Sequence, residues 1–193
     1  VDDMIIRELT KNDCSKCAEM HLKTYPKYLF TSKFPKKMLE NFYKDLLSGN
    51  KFSYVIEDDN EIFGAVMIGG NSNEARSIFI KSNFLSLLAV VLRNPQFILL
   101  KSFDFIRSVV NKNFDSKYEV RLTNILVDAS HNKSKGASNI LLNHAFAELK
   151  KENIISLGWS VRSNNVKAIN FYIKIGAKIE KIVNNSLYFY KIL

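Results

Sequence analysis

Two spacings of hydrophobic residues run along the chain, one typical of strands and one typical of helices. Residues 4–9 are rich in apolar and β-branched side chains and predict a first strand. Apolar residues then recur at helical spacing over 14–25, where Pro26 ends the pattern, and over 35–49, where Gly49 does so. The chain therefore opens with a predicted strand and two helices.

The centre of the chain predicts a hairpin and then an unusually apolar segment. Two strand-like runs, 52–57 and 62–68, are joined by the turn-favouring sequence Asp-Asp-Asn at 58–60. Residues 78–110 carry apolar positions at helical spacing on both sides of Pro95, so we predict two amphipathic helices that break there. Two interpretations fit this segment: it packs on the rest of the domain, or it contacts a membrane surface, a hydrophobic partner or a second copy in a dimer.

The remainder alternates between strand and helix patterns and contains no internal repeat. Gly176 marks the end of one helix, and the Asn-Asn-Ser sequence at 184–186 marks a turn between two final strands. The predicted elements are strands at 119–127, 154–161, 177–183 and 187–193, with helices at 137–150 and 166–175. This order predicts an α/β (α+β) protein with a mixed sheet packed by helices, and we expect residues 1–193 to form a single domain.

A polar loop joins the strand at 119–127 to the following helix and has the composition of an anion-binding site. It contains two lysines, two serines and one glycine. The first N–H groups of a helix have no partner within the helix, and the helix dipole favours negative charge at that end. Gly136 has no Cβ and would let a phosphate approach the backbone. The alternative is an ordinary turn with solvated lysines.

The formal net charge of +9 makes nucleic acid one candidate partner. The basic residues are scattered and do not alternate with aromatic residues, so we expect no nucleic-acid binding; an anionic cofactor explains the charge equally well. No apolar run is long enough to cross a bilayer, and the first residues lack a signal-peptide pattern. With two cysteines only, these features predict a cytoplasmic protein.

Residues 165–177, Asn-Val-Lys-Ala-Ile-Asn-Phe-Tyr-Ile-Lys-Ile-Gly-Ala, resemble the Asn-x-x-Ala-x-x-Phe-Tyr-x-x-x-Gly-Phe sequence of GCN5-related N-acetyltransferases (GNATs). The polar loop is similar to the family's pyrophosphate loop, Gln/Arg-x-x-Gly-x-Gly/Ala, with Lys133, Gly136 and Ser138 at the three defined positions. The resemblance covers nearly the whole chain. It implies the GNAT-like acyl-CoA N-acyltransferase fold, with 78–110 as a helical insertion between the third and fourth strands.

The resemblance also implies that acetyl-CoA is the cofactor and that its acetyl group passes directly to a primary amine. In this family the pantetheine arm pairs with the end of the fourth strand, and a tyrosine protonates the departing thiolate. Tyr172 stands at that tyrosine's position and is the implied catalytic residue, although it would also serve as an aromatic anchor for its helix. Asn165 would bind the pantetheine or cap the helix. The implied cofactor-binding residues are Ile125, Leu126, Val127, Lys133, Ser134, Lys135, Gly136, Ala137, Ser138, Asn165 and Tyr172.

The chain departs from the family pattern in its loop, where Lys133 replaces Gln or Arg and Ser138 replaces Gly or Ala. Backbone N–H groups do most of the phosphate binding and lysine keeps the positive charge, so we still expect acetyl-CoA to bind. A weaker similarity, through 21–26, 42–43 and the apolar insert, is to a subgroup linked to bacterial surface-polysaccharide and amino-sugar pathways. That similarity implies an amino sugar, or another small amine, as the acceptor.

The group that takes the proton of the attacking amine is not identified by the sequence. The strand segment 122–126, Leu-Thr-Asn-Ile-Leu, carries no carboxylate, and Glu119 and Asp128 flank it. His21 is a candidate base because histidine titrates near neutral pH, and a buried structural role is the alternative. We expect His131 to be solvated in its loop. A base acting through water is also consistent with the sequence.

Two cysteines, Cys14 and Cys17, have the spacing of a redox pair or of half a zinc site. No second pair of Cys or His stands at ligand spacing, so we expect ordinary helix residues and no metal site. The leading hypothesis is thus an acetyl-CoA-dependent N-acetyltransferase. Its alternative is a non-catalytic CoA-binding or interaction module on the same fold, which would use the apolar insert to contact a partner.

Overall fold

The computed structural model describes residues 4–70, 72–95 and 116–193, which contain one seven-stranded sheet. The strands are β1 (Ile5–Glu8), β2 (Phe52–Asp58), β3 (Glu61–Gly69), β4 (Arg121–Val127), β5 (Ser156–Arg162), β6 (Lys178–Val183) and β7 (Ser186–Ile192). Across the sheet their order is β1-β2-β3-β4-β5-β7-β6. Neighbours are antiparallel except β4 and β5, which are parallel. The predicted mixed sheet is confirmed.

Six α-helices are found in the described residues: α1 (Cys14–Thr24), α2 (Lys36–Ser48), α3 (Ser72–Ser82), α4 (Phe84–Arg93), α5 (Ala137–Lys151) and α6 (Val166–Lys174). The sheet separates two apolar cores. Val55 and Ala65 belong to the core with α1 and α2, whereas their neighbours Ile56 and Val66 belong to the core with α5. This alternation follows from the two-residue period of a strand, which sends successive side chains to opposite faces.

The turn between β2 and β3 shows why its sequence predicts a hairpin. Asp59 and Asn60 both have positive φ angles, 48° and 62°, and they connect the paired residues Asp58 and Glu61. A two-residue turn of this kind matches the twist of the strands, and Asn and Asp tolerate it better than most other residues.

The apolar insert is correctly placed between the third and fourth strands, and α4 ends at Arg93, in agreement with the predicted break near Pro95. We predicted one helix from 78 to Pro95, whereas the structure has two helices, α3 and α4, separated at Asn83. The Asn83 side chain donates a hydrogen bond to the carbonyl of Phe79 at 3.1 Å, which satisfies a carbonyl at the end of α3. The predicted second helix, at 97–110, lies outside the described residues. None of the helices described is long and apolar enough to cross a membrane.

A bulge in β4 determines which face of the sheet each of its side chains reaches. The register with β3 shifts so that Met67 pairs with Asn124 and Ile68 pairs with Leu122, which leaves Thr123 without a partner residue. Leu122 and Ile125, three residues apart, consequently share the core with α5. Asn124 forms hydrogen bonds with side chains from α2 and from the turn after α1, described below.

Candidate active site

Strands β4 and β5 are joined by a single residue pair and then separate. Arg121 pairs with Gly158, and the Gly158 N–H donates to the carbonyl of Val120 at 3.0 Å. No later residue of β4 pairs with β5 in the described part of the chain. The backbone groups of 123–127 that face β5 therefore lack the strand partner that such groups have elsewhere in the sheet. An extended ligand would supply it as an added strand.

A cavity of about 330 Å³ opens at this gap. Its walls are β4, the second half of β5, the side of α6, and the end of α1 with the turn that follows it. Five of the residues predicted to bind the cofactor line it, namely Ile125, Leu126, Val127, Asn165 and Tyr172. The structure thus brings the predicted pantetheine strand and the predicted catalytic tyrosine to one cavity.

The predicted pyrophosphate loop forms a tight turn in front of α5. Gly136 has a left-handed φ of 87°, and a Cβ at this position would have no neighbouring atom within 4 Å. The Ala137 N–H donates to the carbonyl of Ser134, whereas the N–H groups of Lys135, Gly136 and Ser138 have no acceptor within the described residues. Unpaired N–H groups around a glycine at a helix N-terminus bind anions. The residues of this loop therefore fit a pyrophosphate.

Lys133, the charged residue of the loop sequence, makes its contacts within the protein. Its ammonium lies 2.7 Å from Oδ1 of Asp58 in β2, and its backbone N–H donates to Nδ1 of His131 at 3.2 Å. The His131 ring stacks on Phe63 with centroids 4.1 Å apart, and only 14% of its side chain is exposed, so the prediction of a solvated His131 is wrong. These contacts hold the loop against the β2–β3 hairpin. Lys135 is the exposed lysine of the loop.

Tyr172 lies on α6 with 6% of its surface exposed, and its ring centroid is 5.0 Å from that of Trp159. Burial raises the pKa of Tyr172 above the usual value of a phenol, because the phenolate would lose its solvation. The hydroxyl therefore keeps its proton at neutral pH and is able to act as a proton donor. Asn165 begins the same helix, and its Oδ1 accepts a hydrogen bond from the Ala168 N–H at 3.2 Å. Of the two roles predicted for Asn165, the structure shows the helix cap.

No Asp or Glu of the described ranges lines the cavity. Glu119 is exposed ahead of β4 and does not belong to the cavity wall. Asp128 accepts hydrogen bonds from the N–H and the hydroxyl of Ser130, at 3.0 and 2.6 Å, and pairs with Lys23 at 3.1 Å. These partners, Ser130 foremost, lower the pKa of Asp128 to about 2, so its carboxylate is a poor base at neutral pH.

His21 is a buried structural residue, which was the alternative to its role as a base. Its ring is 2% exposed and stacks on Tyr25 with centroids 4.1 Å apart. Nδ1 lies 2.7 Å from the Tyr43 hydroxyl and Nε2 lies 3.0 Å from the Thr31 hydroxyl, so both nitrogens have partners. Desolvation lowers the pKa of His21 to about 4. The imidazole is not part of the cavity wall.

A buried hydrogen-bond network that the sequence did not predict leads from His21 to the cavity. The Tyr25 hydroxyl donates to Oδ1 of Asn124 at 2.9 Å, and Nδ2 of Asn124 donates to the Tyr43 hydroxyl at 3.1 Å. The Tyr43 hydroxyl then donates to Nδ1 of His21, which leaves Nε2–H to donate to Thr31. Tyr25 and Asn124 form part of the cavity wall. The polar Asn124 within an apolar strand was the one sequence signal of this network.

Cys14 and Cys17 are buried in the core on α1 and are not bonded to each other. Burial raises the pKa of both thiols, to about 11 for Cys14, so both remain protonated. Among the residues that the structure describes, no group of three or more His, Cys, Asp or Glu is arranged to hold a metal ion.

The fold is similar to those of solved acetyltransferases at low sequence identity. PaiA N-acetyltransferase from Thermoplasma acidophilum, in complex with coenzyme A, is 14% identical with a TM-score of 0.61, covering 99% of both chains. Arabidopsis thaliana Naa50, in complex with the bisubstrate analogue CoA-Ac-MVNAL, is 16% identical with a TM-score of 0.56, covering 98% of this chain and 99% of that one. An N-acetyltransferase from Staphylococcus aureus is 13% identical with a TM-score of 0.59, covering 98% of both.

No curated protein matches the chain significantly in sequence. The model of the acetyltransferase (GNAT) family matches residues 15–177, which include the β4–β5 gap, the loop before α5 and the whole of α6. The chain therefore belongs to the acetyltransferase (GNAT) family, and it is an acyltransferase whose cofactor is acetyl-CoA.

Proposed function

We propose that this protein transfers the acetyl group of acetyl-CoA directly to a primary amine bound in the cavity between β4 and β5. The observation that carries the proposal is the presence of Tyr172 in the same cavity as the unpaired end of β4. When bound, acetyl-CoA supplies a thioester whose C–S bond breaks as the amine nitrogen bonds to the carbonyl carbon.

Two parts of the chain would hold the cofactor. The backbone of Ile125, Leu126 and Val127 would pair with the pantetheine arm, because these groups have no partner in β5. The loop of Lys133, Ser134, Lys135, Gly136, Ala137 and Ser138 would hold the pyrophosphate through its backbone N–H groups. Lys135 adds an exposed positive charge, whereas Lys133 fixes the loop through Asp58.

Tyr172 would supply the proton that the departing thiolate takes. A phenol is protonated at neutral pH, and solvent would return the proton to Tyr172 after the transfer. No carboxylate of the described residues lines the cavity in which the amine would bind. The low pKa values of His21 and Asp128 make these two side chains poor acceptors of the amine's proton. We therefore propose that water takes this proton.

An amino sugar is the acceptor class that we propose. The cavity is lined in part by residues with hydroxyl and amide groups, namely Thr24, Tyr25, Tyr28, Asn124 and Ser160. Groups of this kind form hydrogen bonds with the hydroxyls of a sugar. The competing acceptor class is a peptide N-terminus, because one structural neighbour was solved with an analogue that contains the peptide MVNAL.

The test combines calorimetry with a panel of acceptors. We expect acetyl-CoA and CoA to bind the purified chain, and amino sugars to be acetylated faster than peptides or polyamines at equal concentration. Absence of acetyl-CoA binding by a folded sample would refute the transferase itself. Binding together with a preference for peptides would refute only the amino-sugar acceptor.

The alternative, a non-catalytic CoA-binding module, is favoured by one feature of the insert. Helix α4 exposes large apolar side chains, with Leu85 and Leu92 78% and 67% exposed. Such a module would bind CoA and acetylate no member of the panel, and it would associate with itself or with vesicles through α4. Light scattering and vesicle sedimentation with the Leu85→Glu variant would test that contact, because the charge would abolish it.

A further inference from the structure

The indole N–H of Trp159 has no hydrogen-bond partner in the described part of the structure. Trp159 lies in β5 with 2% of its surface exposed, and its Nε1 is among the buried atoms. A buried indole N–H ordinarily has an acceptor, because an unpaired donor in the interior costs free energy. It is the one buried side-chain nitrogen or oxygen of the described residues that lacks a partner. The acceptor is therefore to be sought in a ligand.

The position of Trp159 indicates which ligand would supply the acceptor. The residue directly follows Gly158, where the pairing of β4 and β5 ends, and it lines the cavity in that gap. Its ring lies 5.0 Å from that of Tyr172 and 6.1 Å from that of Phe189, measured between centroids, and neither residue accepts a hydrogen bond from the indole N–H. A ligand that enters between the strands is the remaining source of an acceptor atom.

We propose that the Trp159 indole N–H donates a hydrogen bond to a carbonyl oxygen of the acyl-pantetheine arm of acetyl-CoA. The inference rests on the proposed function, which places this arm along β4. The arm carries uncharged amide and thioester carbonyls, which suit a donor that lies among aromatic rings. A phosphate does not suit it, because a charged group would lose its hydration there. Trp159 is thus a cofactor-binding residue that lies outside both the family-like sequence at 165–177 and the pyrophosphate loop at 133–138.

The chain has a single tryptophan, which makes the proposal directly observable. In protein labelled with ¹⁵N-tryptophan, the one indole N–H resonance should move downfield and exchange more slowly with solvent when acetyl-CoA is added. Adenosine 3′,5′-bisphosphate, which lacks the pantetheine arm, should leave it unchanged. An indole resonance that stays in place at saturating acetyl-CoA would overturn the proposal. An equal shift of the indole resonance on addition of the bisphosphate would also overturn it.

A second measurement removes the donor and keeps the shape of the side chain. Residue-specific replacement of tryptophan by β-(3-benzothienyl)alanine changes this one position and puts sulfur where the N–H stood. Calorimetry should then show acetyl-CoA binding about three- to tenfold more weakly, the size expected for one lost hydrogen bond. Binding of the bisphosphate should not change. Unchanged acetyl-CoA affinity, or an equal loss for both ligands, would contradict the proposal.

Failure of the proposed function and failure of the proposed role of Trp159 would give different results. If the unmodified chain does not bind acetyl-CoA, the proposed function fails. If it binds acetyl-CoA and the indole resonance does not move, only the proposed role of Trp159 fails.

The Trp159→Phe variant, checked for folding by circular dichroism, extends the test by ordinary mutagenesis. It should lose acetyl-CoA affinity at least as much as the benzothienyl protein, because it also lacks the N–H, and wild-type affinity would contradict the proposal.

Discussion

The two ends of the candidate site are built in different ways. The loop before α5 is made of backbone: a left-handed Gly136 and three N–H groups without acceptors. The opposite wall is made of side chains, in which Tyr25 and Asn124 belong to a buried network that continues through Tyr43 to His21. The first end depends on a short local sequence. The second depends on residues as far apart in the chain as 25 and 124.

This contrast suggests different tolerances to mutation. Ligand binding by a site made of backbone groups depends on the loop conformation and on only a few side chains, because the peptide groups themselves make the contacts. A side-chain network is sensitive to each member, because the removal of one leaves a buried partner unsatisfied. Mutations at the two ends should therefore separate cofactor binding from acceptor binding and stability.

The largest effect is expected at Tyr172, between the two ends. Tyr172→Phe removes the proposed proton donor and should lower kcat by about 10²- to 10⁴-fold. The KM for acetyl-CoA should stay within about twofold, because the ring and its packing remain. Steady-state kinetics would measure both. A raised KM with unchanged kcat would show that Tyr172 is an anchor for its helix and not an acid.

The next effect concerns stability at acid pH and the side-chain end of the site. Burial lowers the pKa of His21 from 6.5 to about 4, so the unfolded chain binds more protons between these values. The free energy of unfolding should therefore fall by about 3 kcal/mol as the pH drops from about 6.5 to about 4. Urea unfolding at a series of pH values would measure this loss.

The matched variant for this prediction is His21→Gln. It should be less stable than the wild type near neutral pH and should lose less stability down to about pH 4. Below that, both proteins should fall in parallel, because Asp128 has its pKa lowered from 3.8 to about 2 and loses its stabilising ionised form there. Equal slopes above pH 4 would show that another group causes the acid sensitivity.

A backbone effect of intermediate size is expected at Gly136. Val at this position would have to adopt a φ of 87°, which costs a β-branched residue about 1–3 kcal/mol. CoA affinity should fall by about tenfold or more, because the loop would relax away from this conformation. Gly136→Asn is the control, since asparagine tolerates positive φ, and it should retain more affinity in calorimetry. Equal affinities would show that the loop conformation is not needed for binding.

The smallest effect is expected at the acceptor wall. Tyr25→Phe removes the hydrogen bond to Asn124 and should raise the KM for the acceptor about three- to tenfold. The KM for acetyl-CoA should not change. Tyr118→Phe is the matched control, because Tyr118 stacks on Tyr190 and does not line the cavity. A change in acetyl-CoA affinity in Tyr25→Phe would show that the two ends are not separate.

Much of the fold was predictable from sequence because local patterns determine it. The hairpin turn at Asp59 and Asn60, the left-handed glycines Gly136 and Gly176, and the cap at Asn165 all lie where the sequence predicted a turn or helix boundary. Two predictions were wrong. His131 is covered by Phe63, which only the tertiary structure shows, and the stretch before Pro95 is divided into two helices at Asn83, where no proline marks the division.

The sequence alone determined the order of the elements, the family and the backbone loop that fits a pyrophosphate, because each depends on neighbouring residues and on allowed φ angles. Only the tertiary structure revealed the pairing of Lys133 with Asp58 and the network from His21 to the cavity. It also revealed the unpaired indole N–H of Trp159. Each of these requires distant segments to meet, and a side chain's pKa or missing acceptor depends on what packs around it.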